Sequence, residues 1–173
     1  MLGAGILSAV ELSWFDAADP KPVVEALRAC NAAPSFAPTV AAGRPYGSVP
    51  AVVARAEEVS RALPCPEVAA ALAAHPRIGE RVEGGSAEAA ASRAEQSSMD
   101  GAAADVRTAL LEGNRAYEDR FDHVFLIRAA GRSPEEMLAE LRRRLDAPVD
   151  AERAEVVEQL AQITGLRVRG LFA

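Results

Sequence analysis

The stretch SPEEMLAELRRRLDAPVDAERAEVVEQLAQITGLRVRGLFA, residues 133–173, decides the fold. It opens on Ser133-Pro134-Glu135-Glu136. A serine followed three residues later by glutamate is a capping box, and proline suits the first helical position. Met137, Leu138, Leu141 and Leu145 then recur at helical spacing. Pro148 breaks the pattern, and Asp150 is expected to cap a second helix carrying Val156, Val157, Leu160, Ile163, Leu166 and Val168.

The same punctuation extends toward the N-terminus. Pro22 is expected to open a helix through Val23, Val24, Ala26, Leu27 and Cys30. APSFAPTVAAGRPYGS reads as short helical turns closed by Gly43 and by the turn-prone Arg44-Pro45-Tyr46-Gly47. Ser48 caps a helix with Val49, Val52, Val53, Ala56, Val59 and Leu63 on one side, and Pro64 ends it. Pro66 starts a short helix that stops before Pro76. HPRIGERVEGGS has little periodicity and reads as a loop. Ser86 to about Met99 is Ala-rich and helical, and Ala102–Phe121 is a long helix. Val124 to Ile127 is a short apolar run, extended or fully buried. The expected fold is all-α: one domain over residues 1–173, a helical bundle of about seven to nine helices.

Composition agrees. Half of the 173 residues are hydrophobic and only 5% are aromatic. Alanine and leucine dominate, and both cost little conformational entropy in a helix. The formal net charge of −6 argues against nucleic acid as the main partner. Arg142, Arg143 and Arg144 form the one basic cluster, which reads as a solvated helix face beside acidic neighbours. Cys30 and Cys65 lack a CxxC or Cys/His context, so a thiolate metal site is not expected; both read as small buried hydrophobes. The first residues, MLGAGILSAVELSW, have no basic segment, and Glu11 interrupts them. No apolar run approaches the roughly 20 residues of a membrane span. A cytoplasmic protein is expected.

Three features could carry chemistry. His75, one of two histidines, precedes Pro76 at a helix end. Pro76 biases it away from helical geometry, and an imidazole there can move protons near neutral pH. The plain alternative is a partly exposed histidine at a helix C-terminus. Ser92, Glu95 and Gln96 within Ser92-Arg93-Ala94-Glu95-Gln96 share a helical face and could read a small polar ligand, or could be an ordinary surface pattern. Arg167 lies between Leu166 and Val168, so part of it is expected to point inward toward a carbonyl or an anion, or to a helix neighbour in a salt bridge. HExxH, GxGxxG after a strand, the P-loop pattern and GxSxG are all absent.

HPRIGE at 75–80, SRAEQ at 92–96, NRAYEDRF at 114–121, VFLIRAAGRSPEEML at 124–138 and ITGLRVRGLF at 163–172 resemble, in order and spacing, the decarboxylases of 2-oxo-4-hydroxy-4-carboxy-5-ureidoimidazoline (OHCU). AAGRPYGSVPAVVARAEEVSRAL, residues 41–63, is similar to that family's second helical hairpin. The resemblance runs from Leu12 onward. It implies conversion of OHCU to (S)-allantoin and CO₂ in urate and purine catabolism, with no metal and no organic cofactor. It implies His75 and Glu95 as the catalytic residues. Pro76, Ser92, Arg93, Ala94, Glu95 and Gln96 would line the substrate site, with His123, Val124, Phe125, Leu126 and Ile127 presenting backbone groups and Arg167 completing it. The implied partner is a small ureide, and the implied assembly a homodimer. One departure stands out: His123-Val124 replaces an aromatic-Pro pair common in the family. The reading of another class is a non-catalytic helical module that binds a small ureide or a protein partner.

Overall fold

A computed structural model describes residues 9–78 and 102–173. The helix expected over 86–99 lies outside them. Among the described residues the chain forms eight helices and no strands. They are α1 (Leu12–Ala17), α2 (Pro20–Arg28), α3 (Phe36–Ala42), α4 (Val49–Arg61), α5 (Cys65–Ala73), α6 (Ala104–Phe121), α7 (Pro134–Leu145) and α8 (Val149–Gly170). None is long and apolar enough to cross a membrane.

Local chemistry sets most of the ends. The Ser48 hydroxyl accepts from the Ala51 amide and opens α4. Ser133 and Glu136 close the capping box reciprocally at the start of α7. Four helix starts differ from expectation: α5 begins at Cys65 rather than Pro66, α6 at Ala104 rather than Ala102, and α2 and α8 also shift. The second helix begins at Pro20 rather than Pro22, because either proline fits a first turn whose amides need no partner. The last helix begins at Val149 after Pro148, so Asp150 lies within the first turn and supplies charge there instead of a cap.

Two cores result. The larger gathers Phe15 of α1, Val23 and Leu27 of α2, Phe36 and Val40 of α3, Val52 and Ala56 of α4, Leu72 of α5, and Val156, Leu160, Ile163 and Val168 of α8. The smaller gathers Ile78, Leu110 and Tyr117 of α6, and Met137, Leu138 and Leu141 of α7. Gly165 marks where α4 and α8 cross closely: a Cβ there would stand 2.5 Å from Glu57 Oε1. Gly113 does the same for α6 and α7, 2.5 Å from Leu141 Cδ2.

The segment after α6 joins the two cores. Asp122 turns the chain with a left-handed φ of 60°. Then Val124 and Leu126 pack against the larger core, while Phe125, Ile127 and Ala129 enter the smaller one. Alternation with a period of two is the signature of extended chain. The run read as extended or fully buried is thus an extended partition, with Phe125, Leu126 and Ile127 buried and Val124 half-buried.

Three polar side chains tie the larger core. Asn31 follows α2 and is 1% exposed. Its amide donates to Thr164 Oγ1 at 3.0 Å and Ser60 Oγ at 3.4 Å, and its Oδ1 accepts from the Ala33 amide at 2.9 Å. The cysteine expectation holds for buried Cys30 but not for Cys65, which is exposed because it occupies the first position of α5, at the protein surface. Asn31→Ala should strand the Ala33 amide and weaken the α2–α4–α8 junction. The expected loss is about 2–3 kcal/mol. Urea denaturation checks it, and a change under about 0.5 kcal/mol would show that the junction does not depend on this amide.

Candidate active site

His75 sits just beyond α5, whose last turn supplies its anchors. Its backbone amide donates to the Leu72 carbonyl at 2.9 Å. Its Nδ1 lies 2.9 Å from the Ala71 carbonyl oxygen. A carbonyl can only accept, so Nδ1 carries a proton and donates it. In the neutral imidazole that leaves Nε2 as the basic nitrogen. The ring is 8% exposed. The alternative of a partly exposed terminal histidine therefore fails: the side chain folds back over its own helix instead of extending into water.

The loop that follows is clamped to α6. The Asn114 amide, 1% exposed, donates to the Ile78 carbonyl at 2.8 Å. Arg77 reaches the Glu118 carboxylate with Nε and Nη2, a bidentate pair. Asn114 and Glu118 are four residues apart, so one face of α6 holds both. Ile78 enters the smaller core beside Phe125 and Ile127. Leu72, on the other side of His75, enters the larger core with Leu126. The His75 corner and the extended run 123–127 are thus seated against the same two cores.

His123 occupies the turn into that run. Its ring meets Tyr117 edge-on at 5.4 Å and stacks near Phe121 at 6.2 Å. Its Nδ1 donates to the Val124 carbonyl at 3.1 Å. The imidazole fills an aromatic niche beside Tyr117 and Phe121. Arg167 is half-buried on α8, between exposed Leu166 and buried Val168, and Val168 belongs to the larger core with Leu72 and Leu126. Pro76 is half-buried next to His75. Ser92, Arg93, Ala94, Glu95 and Gln96 lie outside the described residues.

The structure also shows a cluster that the sequence reading misplaced. Arg144 is 0% exposed, so the expectation of a solvated face across Arg142–Arg144 fails at its last member. Its Nε donates to the Glu152 carboxylate at 2.9 and 3.1 Å, and its Nη1 to the Leu126 carbonyl at 2.7 Å. Its guanidinium also lies 4.7 Å from the centre of the Phe125 ring. The Tyr117 hydroxyl donates to the same carboxylate. Burial, then the Glu152 hydrogen bond, push that phenol well above its ordinary range. The signal was present in the periodicity. Arg144 is seven residues after Met137 and three after Leu141, and Glu152 is four before Val156. Both lie on the apolar stripes of their helices.

The Arg77–Glu118 pair should make the His75 loop sensitive to acid. The Arg77 hydrogen bond holds the Glu118 carboxyl below its ordinary value of 4.5. A depressed native value stabilises the fold above the unfolded value, and that stabilisation is lost as pH falls through the native one. The pair is partly exposed, so about 1 kcal/mol or less is at stake. Glu118→Gln should be the less stable protein at pH 7, with the gap closing below about pH 4. Thermal melts of both proteins from pH 7 to pH 3 check this, and a gap constant over that range would contradict it.

Comparison with known proteins bears on these residues together. No curated protein sequence matches the chain significantly. Among solved structures, a crystal structure of OHCU decarboxylase in the presence of (S)-allantoin superposes with a TM-score of 0.72 at 24% identity, covering 94% of this chain and 99% of the other. A crystal structure of (S)-allantoin synthase superposes with a TM-score of 0.71 at 14% identity, covering 94% of this chain and 54% of the other. These two establish a shared fold. The sequence itself matches the family model of OHCU decarboxylases over residues 16–169, which includes His75, the extended run and Arg167. The chain belongs to the OHCU decarboxylase family.

Proposed function

We propose that this protein is a carboxy-lyase that converts OHCU to (S)-allantoin and CO₂ in urate and purine catabolism. Membership of the family across residues 16–169 carries the reading. The buried His75, with Nδ1 committed to a carbonyl and Nε2 basic, gives that membership a chemical meaning.

The substrate carries its carboxylate on a ring carbon that also bears a hydroxyl. When that C–C bond breaks, CO₂ leaves and the electron pair passes into the adjacent conjugated ring. The substrate is its own electron sink, so no metal or organic cofactor is required. A proton must then reach one face of the ring carbon that bears the ureido group, which creates the stereocentre. The protein has to hold the carboxylate out of the plane of the sink, stabilise the charge entering the ring, and deliver that proton.

His75 is assigned the proton transfer, through Nε2. Glu95 accepts a substrate N–H or steadies a protonated His75. Pro76 and residues 92–96 line the site. His123, Val124, Phe125, Leu126 and Ile127 offer peptide groups to the ring and ureido functions. Arg167 meets a ring carbonyl or the carboxylate with parallel N–H bonds, which a guanidinium provides and an ammonium does not. The family resemblance supports a homodimer, and the composition supports a cytoplasmic protein.

His75→Asn should cost roughly 10²–10⁴-fold in kcat, while its stability cost, that of one buried hydrogen bond, stays at about 1–2 kcal/mol and leaves the protein folded at assay temperature. Near-full activity would move the assignment to His123. Glu95→Gln should lower kcat/KM by roughly 10–150-fold, the kinetic equivalent of one charged hydrogen bond, with the fold intact. Turnover of fresh OHCU followed by ultraviolet absorbance, paired with thermal melts, checks both. A Glu95→Gln protein that turned over normally would return Glu95 to a solvated helix face. The wild-type protein should keep its activity after EDTA treatment; activity lost to chelation and restored by zinc would contradict a cofactor-free reaction.

A further inference from the structure

In extended chain, the N–H and C=O of one residue project to one edge and those of the next residue to the other. Along the partition between the cores, Leu126 and Arg128 share an edge. Both are held there by buried side chains from the two C-terminal helices. Arg144 of α7 donates to the Leu126 carbonyl at 2.7 Å. Gln159 of α8, 4% exposed, accepts from the Arg128 amide at 2.8 Å through Oε1. Gln159 is itself oriented by donating from Nε2 to Glu155 at 2.8 Å. The opposite edge carries the peptide groups of Phe125 and Ile127, which take no backbone hydrogen bond among the described residues.

The geometry points to Arg144 and Gln159 as positioning residues for the substrate-facing backbone. By capturing one edge they fix the rotation of the partition about its own axis. That rotation decides where the free peptide groups of Phe125 and Ile127 point. Arg144 suits the task because its other donors are consumed by Glu152, itself 1% exposed. A guanidinium gripped by a carboxylate on one side and stacked near Phe125 on the other has one orientation in which Nη1 meets Leu126. A lysine has no planar fork and cannot span both partners in that arrangement. This inference rests on the decarboxylase reading, because it assigns the free edge to the substrate of that reaction.

The test compares Arg144→Lys and Gln159→Leu with Leu27→Ala, a destabilising change in the larger core far in sequence from the partition. Amide hydrogen exchange is read at Phe125–Arg128 in the free protein. The kcat/KM for OHCU is read well below each melting temperature. Arg144→Lys and Gln159→Leu should speed exchange at the Arg128 amide selectively and lower kcat/KM about 10-fold or more, as a misplaced binding edge would. Leu27→Ala should lower the melting temperature yet keep the wild-type exchange pattern at these amides and the wild-type kcat/KM. If the two variants instead behave like Leu27→Ala in both readouts, Arg144 and Gln159 are stabilising residues only and the inference falls. If Arg144→Lys does not fold, Gln159→Leu decides alone. A wild-type protein inactive on OHCU would overturn the decarboxylase reading, while the exchange data would still decide whether Arg144 and Gln159 hold the partition.

Discussion

Arg144 and Glu152 stand 0% and 1% exposed where α6, α7, α8 and the extended partition meet. Burying both charges costs several kcal/mol per ion before any attraction is counted. The arrangement is tolerable because nearly every polar atom is used: Glu152 receives Arg144 and Tyr117, and Arg144 also serves the Leu126 carbonyl. Replacing one partner would leave the other as an uncompensated buried charge. Such a network therefore admits one register of α7 against α8 and penalises slips heavily. In that register the smaller core closes over Tyr117, Phe125 and Ile127. The position of the partition follows from the ion pair, and the candidate site follows from the partition.

The catalytic logic suits such a frame. A substrate that supplies its own electron sink leaves the protein with positioning and one proton to deliver. Both tasks need rigidity more than reactive groups. His75 is held by its own helix through Ala71 and Leu72, and the loop after it is clamped to α6 through Asn114 and Glu118. The Nδ1–carbonyl contact also chooses the tautomer, so main-chain geometry sets which nitrogen is basic.

Much of this was legible in the residues. The capping serines Ser48 and Ser133 and the apolar spacing of Val52, Ala56, Leu160 and Val168 report local preferences, which survive into the fold nearly unchanged. His75 and Arg167 were singled out by sequence context. What was not legible depends on which elements meet. Arg144 looks like Arg142 and Arg143 until α8 brings Glu152 over it, although its place on the apolar stripe was readable. The burial of His75 depends on its ring turning back onto Ala71, which Pro76 permits but does not dictate. Asn114 and Gln159 reveal their roles only once the loop and the partition have carbonyl and amide groups to offer them.

The central claim is that this protein directs a proton to one face of a decarboxylated ureide ring. OHCU also decays without a catalyst, and that route gives racemic allantoin. The most direct measurement is the circular dichroism of allantoin formed from freshly generated OHCU, with and without the protein. The account predicts rapid formation of the (S) enantiomer in its presence. Racemic allantoin formed at the uncatalysed rate would contradict it.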